Sequence, residues 1–220
     1  MEHKQSIVDK RHSLAHVLAM AVLEKYPEAK LTLGPAIDTG FYYDIDFGGN
    51  KPTEDDLKEL TKAMQKIVRK GATFSHKEVS KDEALVHFAN NPYKSELIKE
   101  IAEKGEVITL YTTDWFTDLC RGGHVNDLKD IDPESFKLEK IAGAYWRGDE
   151  KNPMLTRVYG LAFDSKSELD AYIAQQEEAK KRDHRKLGKE LKLFTVSELI
   201  GPGLPLMQPK GMIIRKSIED

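Results

Sequence analysis

Apolar side chains at Leu14, Ala15, Val17, Leu18, Ala21 and Val22 recur at the spacing of one helical face. They predict an amphipathic helix from Ser6 to Lys25 with a buried stripe, ended by Pro27. LTLGPAI and GFYYDID then combine β-branched and aromatic residues around Asp38-Thr39-Gly40, the pattern of two hairpin strands, with Gly34-Pro35 bending the first. A second helix is predicted from near Thr53 to Gly71, with Asp56 in its first turn. Ser80 with Glu83 forms the capping box of a third, and Pro92–Lys104 suits a further one, ending at Gly105. VITLYTT, WFTDLC, FKLEKIAGAYW and LTRVYGLAF supply more strands. The helices and strands mix without a βαβ rhythm, which favours an α+β domain on a mostly antiparallel sheet over a doubly wound parallel one.

Ser165 and Glu168 open a long predicted helix, LDAYIAQQEEAKKRDHRKLGKEL, charged almost all round in its second half and therefore read as a connector rather than a core element. After it the chain changes character, becomes rich in Gly and Pro, and ends in a helical pattern. With 220 residues, 40% hydrophobic and 32% charged, the chain suits one large domain and a shorter appended element. No apolar run has the length of a membrane span, and no signal-peptide core follows the N-terminus, so a cytoplasmic location is expected. The net charge of -3 gives no global attraction for nucleic acid. A local basic stretch, KKRDHRK with Lys186 and Lys189, reads either as a phosphate-contacting surface or as a solvated linker face.

Two spacings carry chemistry. His12 and His16 stand four apart on the first helix, which puts both imidazoles on one face. Cys120, the single cysteine, lies four residues before His124 with Gly122 and Gly123 between, so the loop can turn sharply and bring both to the helix histidines. A lone cysteine excludes an internal disulfide and leaves the thiol free for chemistry or metal ligation. Two helix histidines, a thiol and a third histidine also make a tetrahedral zinc set, and a four-ligand ion would leave no open position for water.

HSLAHVL, LGPAIDTGFYYDID, NPYKSELI, DLCRGGHV, FKLEKIAGAYWRGDEKNPMLTRVYGLAF and KKRDHRKLGKEL occur in that order. Together they closely resemble bacterial-type threonyl-tRNA synthetases over essentially the whole chain. The histidine and cysteine pairs alone are shared with alanyl-tRNA synthetases and their free-standing editing relatives, whereas AGAYWRGD and RDHRKLGK are specific to the threonyl family. Gly123 departs from the pattern, which usually has proline there.

The resemblance implies an editing domain of the class II threonyl/alanyl type over residues 1–164, a linker helix over 165–190, and the beginning of a class II catalytic domain over 191–220. It implies hydrolysis of mischarged Ser-tRNA(Thr), because serine lacks only a methyl and one methyl is worth about 1–3 kcal/mol, too little for accuracy at a single site. By resemblance His12, Lys94, His16, Cys120 and His124 are catalytic, with His12 positioning or activating water. Tyr43, Asp118 and Arg121 bind substrate. The family edits without metal, so no cofactor is expected for editing. Zinc, if bound here, would take His12, His16, Cys120 and His124, and the alanyl relatives are known for binding it. ATP and the zinc of aminoacylation are expected only in a catalytic domain outside this chain. The acceptor end of tRNA(Thr) is the expected partner, and the full-length protein is expected to be a homodimer. Two other readings remain: a free-standing deacylase that clears mischarged tRNA in trans, and a non-catalytic tRNA-binding module.

Overall fold

The computed structural model describes residues 6–201 and 203–219. Its elements are α1 (Ile7–Lys25), β1 (Lys30–Leu31), β2 (Ala36–Ile37), β3 (Gly40–Asp46), α2 (Asp56–Lys70), β4 (Phe74–Val79), α3 (Lys81–His87) and α4 (Pro92–Glu103). Then come β5 (Ile108–Thr113), β6 (Phe116–Leu119), β7 (Phe136–Tyr145), β8 (Met154–Ala162), α5 (Lys166–Lys181), α6 (His184–Glu190), β9 (Phe194–Val196), β10 (Pro205–Met207) and α7 (Pro209–Glu219). The chain divides into two compact units, one ending at Leu169 and the other beginning at Asp170.

In the first unit, Ser6 caps α1 reciprocally with Asp9, satisfying two of the orphan N–H groups at the helix start. Every side chain from Ser13 to Val22 is buried, so α1 is enclosed around its whole circumference and not only along the expected stripe. The reason is tertiary: α2 packs on it from one side and β2 with β3 from another. Ser80 and Glu83 form the expected capping box of α3, and Asn91 caps α4 ahead of Pro92.

One sheet has the order β1-β3-β8-β7, with β2 also pairing β3; a second has the order β4-β5-β6. All of these pairings are antiparallel, as the α+β reading requires. β1 and β2 are two separate pieces on β3, divided where Gly34-Pro35 bends the chain. The core joins Phe41, Tyr43 and Ile45 of β3 and Val158 of β8 to Leu14 and Leu18 of α1 and Leu60 and Met64 of α2. Each such side chain contributes roughly 1.5–3 kcal/mol through its burial. A smaller cluster of Ala84, Ile98 and Ile108 holds α3 and α4 against β5.

Two sequence expectations need correction. β4 was not foreseen: His76, Lys77 and Glu78 are exposed and polar, and only hydrogen bonding to β5, with Phe74 opposite Thr113 and Val79 opposite Ile108, makes the segment a strand. The single helix expected over 165–190 is two helices. Asp183 leaves the helical region at φ -56, ψ 120, and its carboxylate accepts the N–H of Arg185, starting α6 afresh. An aspartate that caps competes with continuation of the helix around it. The second unit holds α6, the antiparallel β9–β10 pair and α7. Among the described residues, no helix is long and apolar enough to cross a membrane.

Phe41 lies opposite Gly160 in the β3–β8 register, and a Cβ at Gly160 would come within 2.3 Å of the fully buried Phe41 ring. Gly160→Ala is therefore expected to destabilise the first unit by about 1–3 kcal/mol, read as a lower urea midpoint at unchanged slope.

Candidate functional site

Four elements of the first unit converge on one place. α1 presents His12 and His16 one turn apart; the loop after β6 presents Cys120 and His124; α4 and β3 bring Lys94 and Tyr43. Gly122 and Gly123, at φ +96 and +86, fold that loop back on itself, and Gly122 donates its N–H to Cys120 Sγ at 3.3 Å. Proline is locked near φ -65°, so the path taken here is closed to proline at position 123.

The four donor atoms of His12, His16, Cys120 and His124 lie within 4.8 Å of one another. Cys120 Sγ is 3.4 Å from His12 Nε2 and 3.3 Å from His124 Nε2. The His124 ring is sandwiched, parallel to Phe74 at 4.2 Å and stacked against His12 at 4.4 Å. His16 meets the His124 ring edge-on at 4.5 Å. The His16 ring is buried and its Nδ1 has no hydrogen-bond partner.

Beside this cluster lies a buried ion pair. Lys94 Nζ is 2.5 Å from Asp118 Oδ1, with side chains only 2% and 4% exposed. Tyr43 donates its hydroxyl hydrogen to Asp118 Oδ2 at 2.6 Å, and Lys94 reaches the Tyr43 oxygen at 3.4 Å. The N–H of Leu119 donates to Asp118 Oδ1 at 2.8 Å. The carboxylate is thus saturated by three donors, the condition under which a buried charge is tolerated. Lysines are mostly exposed, yet Lys94 is among the largest fully buried side chains.

A cleft of ≈ 580 Å³ is lined by His12, His16, Tyr43, Lys94, Asp118 and Cys120. Arg121 also borders it, but its side chain is 75% exposed and pairs with Glu106. All eight expected site residues are therefore neighbours, seven of them in the tight cluster and Arg121 at the rim. Sequence reasoning missed Ser13 and Phe74, which fix His124 from behind. A serine inside a helix and an aromatic in a polar strand carry no local signal of such a role.

Burial sets the protonation of the cluster. Desolvation pushes the His16 imidazole well below its usual 6.5, with His12 and Lys94 adding to the effect. It takes His124 down to about 2, aided by its histidine neighbours, and lowers His12 as well, opposed by backbone groups of Gly123 and Gly122. The same burial raises the Cys120 thiol to about 11, and burial beside Asp118 holds the Tyr43 phenol well above its ordinary value. Near neutrality the imidazoles carry no charge and the thiol keeps its proton. The Lys94–Asp118 pair supplies the local charge.

The domain family described as threonyl and alanyl tRNA synthetase second additional domain matches residues 108–159, the stretch that carries Asp118, Cys120 and His124. Over all 220 residues the chain is 50% identical to a threonine–tRNA ligase of Borrelia hermsii (strain HS1 / DAH), covering 37% of that protein. It is 49% identical over the same 220 residues to a threonine–tRNA ligase of Borreliella burgdorferi (strain ZS7), covering 38% of it. By sequence the chain belongs to the threonyl-tRNA synthetase family. It spans somewhat over a third of the length of these relatives. A threonine–tRNA ligase of Borrelia duttonii (strain Ly) matches 218 residues at 50% identity.

Two outcomes follow from the geometry of this threonyl-tRNA synthetase segment. Lys94→Met leaves Asp118 buried and unpaired and is expected to cost about 3–5 kcal/mol in chemical unfolding, whereas the double variant Lys94→Met, Asp118→Leu recovers most of that loss. In the unfolded chain the histidines titrate near 6.5, while in the fold burial holds all three below that value, His124 at about 2. Below about pH 6.5 the unfolded state therefore binds more protons, so the stability held above that pH is lost as pH falls. Urea midpoints measured with chelator from pH 8 to 4 are expected to decline below 6.5, and His124→Gln is expected to flatten the decline.

Proposed function

We propose that this chain hydrolyses the seryl ester of mischarged Ser-tRNA(Thr). The observation that carries the reading is the neutral His12 imidazole on the wall of the same cleft as the buried, fully paired Lys94. Ester hydrolysis needs a positioned water, a base for its proton and a positive group or donors for the developing oxyanion. In this reading a water attacks the ester carbonyl as His12 takes its proton. The oxyanion that forms faces the Lys94 ammonium. Its collapse breaks the bond to the ribose oxygen, which takes the proton back from His12, leaving free serine, an uncharged tRNA end and a neutral imidazole. His16 and Cys120 complete the wall, His124 backs them, and Tyr43 with Asp118 holds Lys94 in place.

Discrimination comes from shape. The Lys94–Asp118–Tyr43 knot cannot give way without exposing or unpairing a charge, so a wall built on it accepts the seryl side chain and resists the extra methyl of threonine. The partner in this reading is the acceptor end of tRNA(Thr). The aminoacylation and dimerisation of the longer ligases are not assigned to these residues.

The donor set of His12, His16, Cys120 and His124, with His16 Nδ1 unpartnered, fits a zinc ion. Those four residues would hold it, and an ion closed by four protein ligands would supply a cross-link between α1 and the Cys120–His124 loop rather than an open Lewis-acid position. The proposed hydrolysis does not draw on it, because His12 and Lys94 provide the base and the charge.

Deacylation of Ser-tRNA(Thr) and Thr-tRNA(Thr) by the chain tests the proposal. The expected result is serine-selective release that persists in chelator and drops roughly 10²–10⁴-fold in His12→Ala. Equal release of both amino acids, or none, would overturn it.

A further inference from the structure

We infer that Ser13, a residue that touches no cleft surface, is a positioning residue that fixes which nitrogen of His124, and through Cys120 which nitrogen of His12, carries the hydrogen. The inference deepens the deacylase reading and rests on it for its kinetic consequence, though not for its structural one.

Ser13 is fully buried on α1 between the two helix histidines. Its Oγ accepts the N–H of Val125 at 3.0 Å and lies 3.4 Å from His124 Nδ1. Among the described residues these are the hydroxyl's hydrogen-bond partners. If His124 carried its hydrogen on Nδ1, Ser13 Oγ would accept twice and its own hydrogen would have nowhere to go. A buried donor left without an acceptor loses its hydrogen bond to water and gains nothing in return. The favoured arrangement has Ser13 donating to His124 Nδ1, which leaves the His124 hydrogen on Nε2.

The next links follow in one direction. His124 Nε2–H donates to Cys120 Sγ, which also accepts the Gly122 N–H. The thiol has one hydrogen, and its remaining neighbour is His12 Nε2 at 3.4 Å. His12 Nε2 is then an acceptor and Nδ1 carries the hydrogen. The loop backbone runs beside the other nitrogen: a Cβ at Gly123 would lie 3.8 Å from His12 Nδ1. A backbone N–H at Val125 starts the run, which passes through Ser13, His124 and Cys120 to His12.

The consequence lies in the cleft, which His12 and Cys120 line. When the thiol turns away, His12 offers the Nε2 lone pair to a water there, because the ring hydrogen is on Nδ1. Without the Ser13 hydroxyl, His124 can adopt either tautomer, the thiol hydrogen loses its preferred direction, and part of the population presents His12 with its base position occupied.

The test uses the whole chain with ¹⁵N-labelled histidine, the His124 signals assigned by their loss in His124→Gln. In the unsubstituted protein, in chelator, His124 is expected to show an unprotonated Nδ1 and a protonated Nε2. Ser13→Ala is expected to mix the two forms, and Ser13→Thr, which keeps the hydroxyl, to restore the single one. In parallel, Ser13→Ala is expected to lower kcat for Ser-tRNA deacylation roughly tenfold with KM within about twofold, as loss of alignment without loss of binding predicts. Hydrogen on Nδ1 of His124 in the unsubstituted protein, or an unchanged pattern in Ser13→Ala, overturns the inference. Absence of deacylation by the unsubstituted chain overturns the deacylase reading while leaving the nitrogen pattern to decide the role of Ser13.

Discussion

The first unit depends on a lysine and an aspartate that have been taken out of water together. Lys94 comes from α4, Asp118 from β6, and the Tyr43 hydroxyl that completes the knot from β3. Burying either charge without the other is strongly unfavourable, so in this fold the three elements are held to one meeting point. Such a pair adds little net stability over a well-packed apolar trio, and what it contributes is position. Asp118 is two residues ahead of Cys120, so fixing the carboxylate also fixes where the loop of Cys120 to His124 begins.

That anchor explains how the cluster can be tightly packed and yet uncharged. Three imidazoles stand within stacking distance of one another, an arrangement that protonation of any two would force apart. Burial by Phe74 and by the surrounding core removes the charge before repulsion arises. The site thus separates two tasks. A permanent charge pair sets the local field, while a neutral run of hydrogen bonds beside it can give or accept a proton without carrying an ion through the apolar core.

Helix starts were legible from sequence because their determinants are local. Ser6 with Asp9, Ser80 with Glu83 and Asn91 before Pro92 satisfy the first N–H groups within a few residues. The hairpin around Asp38-Thr39 and the four-residue spacings of the histidines and the cysteine were legible for the same reason. β4 was not, because its polar residues become a strand only through hydrogen bonds to β5, and the break at Asp183 was hidden by a charge pattern that suits one helix or two. Lys94 shows the limit most clearly. Its neighbours in sequence give no sign of burial, and its counter-charge lies 24 positions away, so only resemblance to a family pointed to it.

The sequence by itself determined which residues could do chemistry: one thiol, two histidines a turn apart, a glycine pair that frees a loop, and the motif order that places the chain among the threonyl-tRNA synthetases. Only the tertiary structure decided that these residues share one cleft. It also decided that their histidines are neutral, that a lysine is locked to an aspartate beside them, and that Ser13 faces His124. The physical reason is that spacing along the chain fixes directions over a turn or two, whereas desolvation and hydrogen-bond polarity depend on what packs around a group from elsewhere.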